Sequence, residues 1–98
     1  MRRDEAISRL RADADTIREM GATSLYLFGS TARDRAKAAS DLDLFIDYDT
    51  SRRFSLVDLV GIQQVLEHRM GVRIDIATRD SLHPRLKDEI ERSAVRVF

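Results

Sequence analysis

The sequence predicts an α/β (α+β) fold, a small β-sheet of three or more strands flanked by about four helices. One domain spanning residues 1–98 is expected. Three patterns carry this expectation. Residues 24–28 form an apolar run, Ser24-Leu25-Tyr26-Leu27-Phe28, that stops at Gly29-Ser30. Residues 41–48 and 72–77 alternate apolar and polar, the period of a half-buried strand. Residues 4–20 and 55–70 repeat their apolar positions at steps of three and four, the period of an amphipathic helix.

In chain order, residues 4–20 read as one helix. Asp4 and Glu5 suit its positive end, and Ile7, Leu10, Ala14 and Ile17 line one face. Gly21 then follows where a left-handed C-cap is common. The first strand ends at Gly29, and Ser30 is a good N-cap for a short helical stretch over residues 31–36. The second strand places Asp41 and Asp43 on one face and Leu42, Leu44 and Ile46 on the other. Phe45 lies between Asp43 and Asp47 on the acidic face, so that face is expected to be covered past Asp43. Asp47 and Asp49 are therefore assigned to the strand end and the turn after it.

Residues 55–70 are the longest predicted helix. Ser55 caps it, Asp58 favours its first turn, and Leu56, Leu59, Val60, Gln63, Leu66 and Met70 make the inward stripe. Gly71 ends it. In the third strand Val72, Ile74 and Ile76 face one way, and Arg73, Asp75 and Ala77 the other. Pro84 suits the first turn of a last helix with Leu86 and Ile90 on its face. The apolar ending Val95-Arg96-Val97-Phe98 either packs on the sheet or meets a partner.

Composition narrows the function classes. Seventeen basic and seventeen acidic residues cancel, which argues against direct, stable binding to nucleic acid through charge. There is no cysteine, so thiolate metal sites and thiol nucleophiles are excluded. No apolar run approaches the roughly 18 residues of a membrane span. The start, Met1-Arg2-Arg3-Asp4-Glu5, lacks a signal peptide's hydrophobic region. A cytoplasmic protein is expected.

Two local patterns carry chemistry. Gly29 lets the backbone turn tightly and a ligand approach closely, and a strand, a small-residue turn and a helix start together present free N–H groups to a phosphate. Asp41 and Asp43, about 7 Å apart along one strand face, repel each other unless a cation lies between them. Hard oxygen donors beside a phosphate cradle suggest magnesium. Read singly, Gly-Ser is a common turn and Asp-Leu-Asp-Leu a common amphipathic strand. Asp75 admits two readings, an exposed edge strand or a third carboxylate brought beside the pair. Arg33 reads either as solvated charge or as a cation beside the nucleotide.

Together, Leu27-Phe28-Gly29-Ser30, ten residues, and Asp41-Leu42-Asp43-Leu44 match the Gly-Ser, Asp-x-Asp signature of the nucleotidyltransferase superfamily that includes DNA polymerase β. The chain most closely resembles the minimal nucleotidyltransferases, through Gly29-Ser30-Thr31-Ala32-Arg33 and Ser40-Asp41-Leu42-Asp43-Leu44. It departs from their commoner pattern at Asp34 and Ala38-Ala39. The resemblance implies the nucleotidyltransferase fold with a small mixed sheet. It implies Asp41, Asp43 and Asp75 as catalytic residues and as ligands of two magnesium ions, with Gly29, Ser30, Arg33 and Ser40 on the nucleotide.

The implied reaction is transfer of AMP from ATP to a hydroxyl. Minimal nucleotidyltransferases are typically paired with a helical HEPN toxin encoded by a neighbouring gene, which they silence by adding AMP to a tyrosine. The resemblance therefore implies an antitoxin in such a pair, and a hetero-oligomer with the toxin. Two alternatives are a nucleotidyltransferase for a small-molecule acceptor and a non-catalytic antitoxin acting by contact.

Overall fold

The computed structural model describes residues 1–33 and 41–98. Strands β1 (Ala22–Phe28), β2 (Leu42–Tyr48), β3 (Ile74–Thr78) and β4 (Val95–Arg96) form one mixed sheet in the order β3-β2-β1-β4. β1 runs antiparallel to both β2 and β4, whereas β2 and β3 are parallel. Helices α1 (Arg3–Arg11), α2 (Ala14–Glu19), α3 (Gly29–Ala32), α4 (Leu56–Met70) and α5 (Lys87–Ser93) complete it, with one 3-10 turn at Arg79–Ser81.

The two faces of the sheet differ because alternation sends each residue type one way. Leu25, Leu27, Leu42, Leu44, Ile46 and Ile74 are buried in one cluster with Ala6, Leu10 and Ile17 of α1 and α2, and with Ile62, Leu66 and Met70 of α4. The other face carries Tyr26, Phe28, Asp43, Phe45 and Asp75, as the cross-strand pairs Tyr26–Phe45, Phe28–Asp43 and Asp43–Asp75 require. That second face, partly covered by α5, is where the acidic residues stand.

Three expectations are corrected here. The helix foreseen over residues 4–20 is two helices, because Asp13 leaves helical geometry and is buried. Its carboxylate accepts a hydrogen bond from Arg69 of α4 at 2.7 Å, which fastens the break to the neighbouring helix. The inward stripe of α4 is Leu59, Ile62, Leu66 and Met70. Leu56 and Val60 turn off it and are 73% and 39% exposed, while Gln63 reaches across to donate to the Ile74 carbonyl at 2.7 Å. Ser30 lies inside the single turn α3, whose cap position is Phe28.

The helix ends follow local chemistry. Asp58 accepts the Ser55 N–H at 2.8 Å at the start of α4, and Gly71 closes the helix in the left-handed region at φ 70°. The apolar C-terminus packs on the sheet: Val95 pairs with Leu27, and the Val97 N–H donates to the Leu25 carbonyl at 2.8 Å.

At the far end of the sheet, Tyr48 donates to Asp80 at 2.8 Å and Thr78 donates to the same carboxylate at 2.6 Å. These bonds hold the Asp80 carboxyl below its usual range, and the Asp80 hydrogen bond lifts the Tyr48 phenol above its ordinary value of 10.0. In an alkaline ultraviolet titration Tyr48 should ionise late. Asp80→Asn should bring its midpoint down; an unmoved midpoint would show that the hydrogen bond is not the cause.

Candidate active site

The site begins with one rung of the sheet. Asp43 pairs with Phe28 across the antiparallel ladder and with Asp75 across the parallel one. Residues paired across a ladder share a face, so Phe28, Asp43 and Asp75 project side by side with Asp43 in the middle. Asp41 lies just before β2, and Asp75 is exposed on the edge strand β3. Asp75 is thus on an edge strand and in register with Asp43.

Gly29 follows Phe28 directly and adopts φ +76°, a backbone region that costs an L-residue about 1–2 kcal/mol. A Cβ at this position would run into the Asp43 carboxylate, meeting its Oδ2, Cγ and Cβ. Glycine is required here twice, by its backbone angle and by the carboxylate lying against it. Gly29→Ala should therefore destabilise the fold by about 2 kcal/mol and displace the Asp43 carboxylate. Thermal melting reads the first effect and magnesium-dependent ATP binding the second. Wild-type values for both would contradict this packing.

Electrostatics tie the same residues together. The Asp43 carboxyl is pushed above its ordinary value of 3.8, first by burial and then by the negative charges of Asp75 and Asp41, with Arg33 opposing the rise. Neighbouring carboxylates suit a divalent cation, whose positive charge relieves the repulsion felt by Asp43, and hard oxygens are the donors magnesium prefers. The residues fit such an ion in chemistry, and Asp43 and Asp75 are in register on one face. Among the described residues, no group of three or more acidic, histidine or cysteine side chains is close enough to hold a metal as it stands. Ser30 is beside Gly29 in α3, and Ser40 falls outside the described residues.

Past Asp43 the acidic face is closed by a residue that the sequence did not single out. The Arg79 guanidinium lies 4.8 Å over the Tyr26 ring and 5.0 Å over the Phe45 ring. It donates to both carboxylate oxygens of Asp47, at 2.8 and 3.0 Å, and to Glu91 at 2.9 Å. The hydrogen bond to Asp47 foremost raises the Arg79 pKa and keeps its charge fixed. Asp47 is thereby occupied, and Asp49 accepts from the Ser51 N–H and hydroxyl in a local turn. A signal for Arg79 existed, because Asp75, Ala77 and Arg79 share one parity opposite Asp43, Phe45 and Asp47.

Residues 7–97 match the nucleotidyltransferase domain family model. The chain belongs to the nucleotidyltransferase domain family. Within this family it is 39% identical over 78 residues to a Methanocaldococcus jannaschii protein provisionally named a protein adenylyltransferase, covering 80% of this chain and 82% of that one. It is 30% identical to the protein adenylyltransferase MntA of Thermococcus cleftensis, over 96% of this chain and 94% of that one. A solved structure provisionally described as a minimal nucleotidyltransferase superposes with TM-score 0.81 at 34% identity, covering 97% of this chain and 95% of that chain. The fold alone is shared, at TM-score 0.64 and 14% identity, with a chain of a complex between tri-AMPylated Shewanella oneidensis HEPN toxin and its MNT antitoxin. That match covers 90% of this chain and 68% of the other. As a nucleotidyltransferase, the chain is an enzyme by family. Among its described residues no helix is long and apolar enough to cross a membrane.

Proposed function

We propose that residues 1–98 act as one domain that transfers AMP from ATP to a protein hydroxyl, a tyrosine of a HEPN-type partner encoded by a neighbouring gene. The observation that carries this reading is the rung in which Asp43 and Asp75 stand in register on one face, with Gly29 against the Asp43 carboxylate. The names of the relatives support protein as the acceptor class, and so does the apolar patch that Leu56 and Val57 leave exposed on α4, since such patches mark protein contacts.

Asp41, Asp43 and Asp75 would hold magnesium, as two ions. Bound there, it supplies positive charge to the triphosphate and makes the acceptor hydroxyl easier to deprotonate. The chain's own residues do the rest. Gly29 leaves room for a phosphate oxygen, Ser30 and the N–H groups of the turn bind the phosphate tail, and Ser40 of the same motif is assigned to the nucleotide with them. Arg33 offsets the charge of the departing pyrophosphate. Asp75, open to solvent, accepts the proton of the attacking hydroxyl. The acceptor oxygen bonds to the α-phosphorus, the bond from that phosphorus to the bridging oxygen breaks, and pyrophosphate leaves. Alignment and electrostatics supply the acceleration, without a covalent enzyme intermediate.

The test is to incubate the protein with labelled ATP, magnesium and the product of its neighbouring gene. Label should appear on a tyrosine of that product and disappear with Asp41→Asn. An unlabelled partner in the presence of the wild-type protein would overturn the assignment. If a variant lacking all three aspartates still neutralised the partner, simple contact would replace it.

A further inference from the structure

We propose that the cleft between α5 and the Gly29 turn receives the base of the nucleotide, and that Glu89 selects for a base bearing an exocyclic amine. The inference rests on the transfer reading above. The cleft has a volume of about 240 Å³ and is lined by Phe28, Gly29, Arg33, Leu86, Glu89, Ile90 and Ser93. It is smaller than the ~300–1,000 Å³ of sites that take whole drug-sized ligands, so it suits a single heterocycle.

Its position decides the occupant. Gly29 and Arg33 border the cleft, and Gly29 also touches Asp43, so the cleft is continuous with the phosphate turn. Phe28 pairs with Asp43 on the side opposite Asp75. In-line displacement puts the attacking and leaving oxygens on opposite sides of the phosphorus. Pyrophosphate leaves toward Gly29 and Arg33, so the acceptor enters from the side of Asp75. The cleft lies away from the acceptor's side and is left to the nucleotide, whose base is tethered to the same phosphorus through the ribose and reaches past the phosphate tail.

The lining fits a base. The Phe28 ring offers an aromatic face, and Ile90 and Leu86 offer aliphatic ones. Leu86 is 50% exposed, an apolar side chain on which a flat heterocycle can rest. Glu89 is exposed, and its carboxylate has no hydrogen bond or ion pair among the described residues; only its backbone carbonyl is used, accepting from Ser93. A carboxylate accepts hydrogen bonds only. It favours the amine of adenine over the carbonyl oxygen that hypoxanthine has at the same ring position.

Calorimetric titration in magnesium buffer with ATP, ITP and inorganic tripolyphosphate tests this. The wild-type protein should bind ATP about tenfold more tightly than ITP. Glu89→Gln should bring the two within about twofold, and Leu86→Ser should weaken both nucleotides about tenfold, the order of one lost stacking surface. Tripolyphosphate should bind all three proteins equally, since it has no base. Equal binding of ATP and ITP by the wild type, with Leu86→Ser unchanged, would place the base elsewhere and overturn the proposal while leaving the phosphate site intact. Absence of binding by both ATP and tripolyphosphate would instead remove the transfer reading and this one with it.

Discussion

Asp43→Asn will lower AMP transfer about a thousandfold, a loss of roughly 4 kcal/mol of transition-state stabilisation at 1.36 kcal/mol per factor of ten. The same change will make the metal-free protein more stable near neutral pH. Asp43 is the middle residue of its rung, half-buried and facing the charges of Asp75 and Asp41. Its pKa is raised in the folded state, so the fold binds that proton more readily than the unfolded chain does. Any stability from this group is present below the unfolded value of 3.8 and declines as pH rises through the folded value. Asparagine has nearly the same shape and no charge, so the penalty at neutral pH disappears. Melting temperatures with chelator present should favour the variant at pH 7 (by a few degrees) and converge in acid. Added magnesium should raise the wild-type melting temperature and leave the variant's almost unchanged. Equal melting curves under every condition, together with retained transfer, would remove Asp43 from the site.

Arg79→Ala should cost about 2–3 kcal/mol of stability, on the order of 10 °C in melting temperature for a chain of this size. The guanidinium has two partners of each kind: the rings of Tyr26 and Phe45, and the carboxylates of Asp47 and Glu91. Its side chain is 29% exposed and those of Asp47 and Glu91 are 33% and 31% exposed. Water screens the ion pairs in part, and the figure is set below that for a fully buried pair. Truncation also uncovers Phe45, which is fully buried. Arg79→Lys should recover only part of the loss, because an ammonium has neither the fork that grips Asp47 nor the flat surface that stacks. Urea denaturation measures both variants. A change within about 0.5 kcal/mol for Arg79→Ala would show that the cap is incidental.

Much of this architecture is legible in local pattern. Alternation assigns Asp41 and Asp43 to one face and Leu42, Leu44 and Ile46 to the other, and the buried cluster contains those apolar residues. Gly71 marks the end of α4, and Ser55 with Asp58 marks its start. Each of these features depends on neighbours a few residues apart, which is the range over which periodicity and capping act.

Other features needed the assembled fold. Along α4, Leu56, Val57, Leu59, Val60 and Ile62 offer more apolar positions than one stripe can use, and only the sheet's placement selects Leu59 and Ile62. The helix break at Asp13 is joined to Arg69, 56 residues away in sequence. Val95 and Arg96 become a strand because β1 presents an open edge to them.

By itself the sequence determined the strand faces, the two ends of α4 and the glycine turn, because backbone stereochemistry reads residue type over one or two turns. Tertiary structure alone decided that Asp43 stands beside Asp75, while Asp47 is held by Arg79. Parity names the face on which a side chain stands, but its neighbour there follows from strand order and register, which distant parts of the chain settle by packing together.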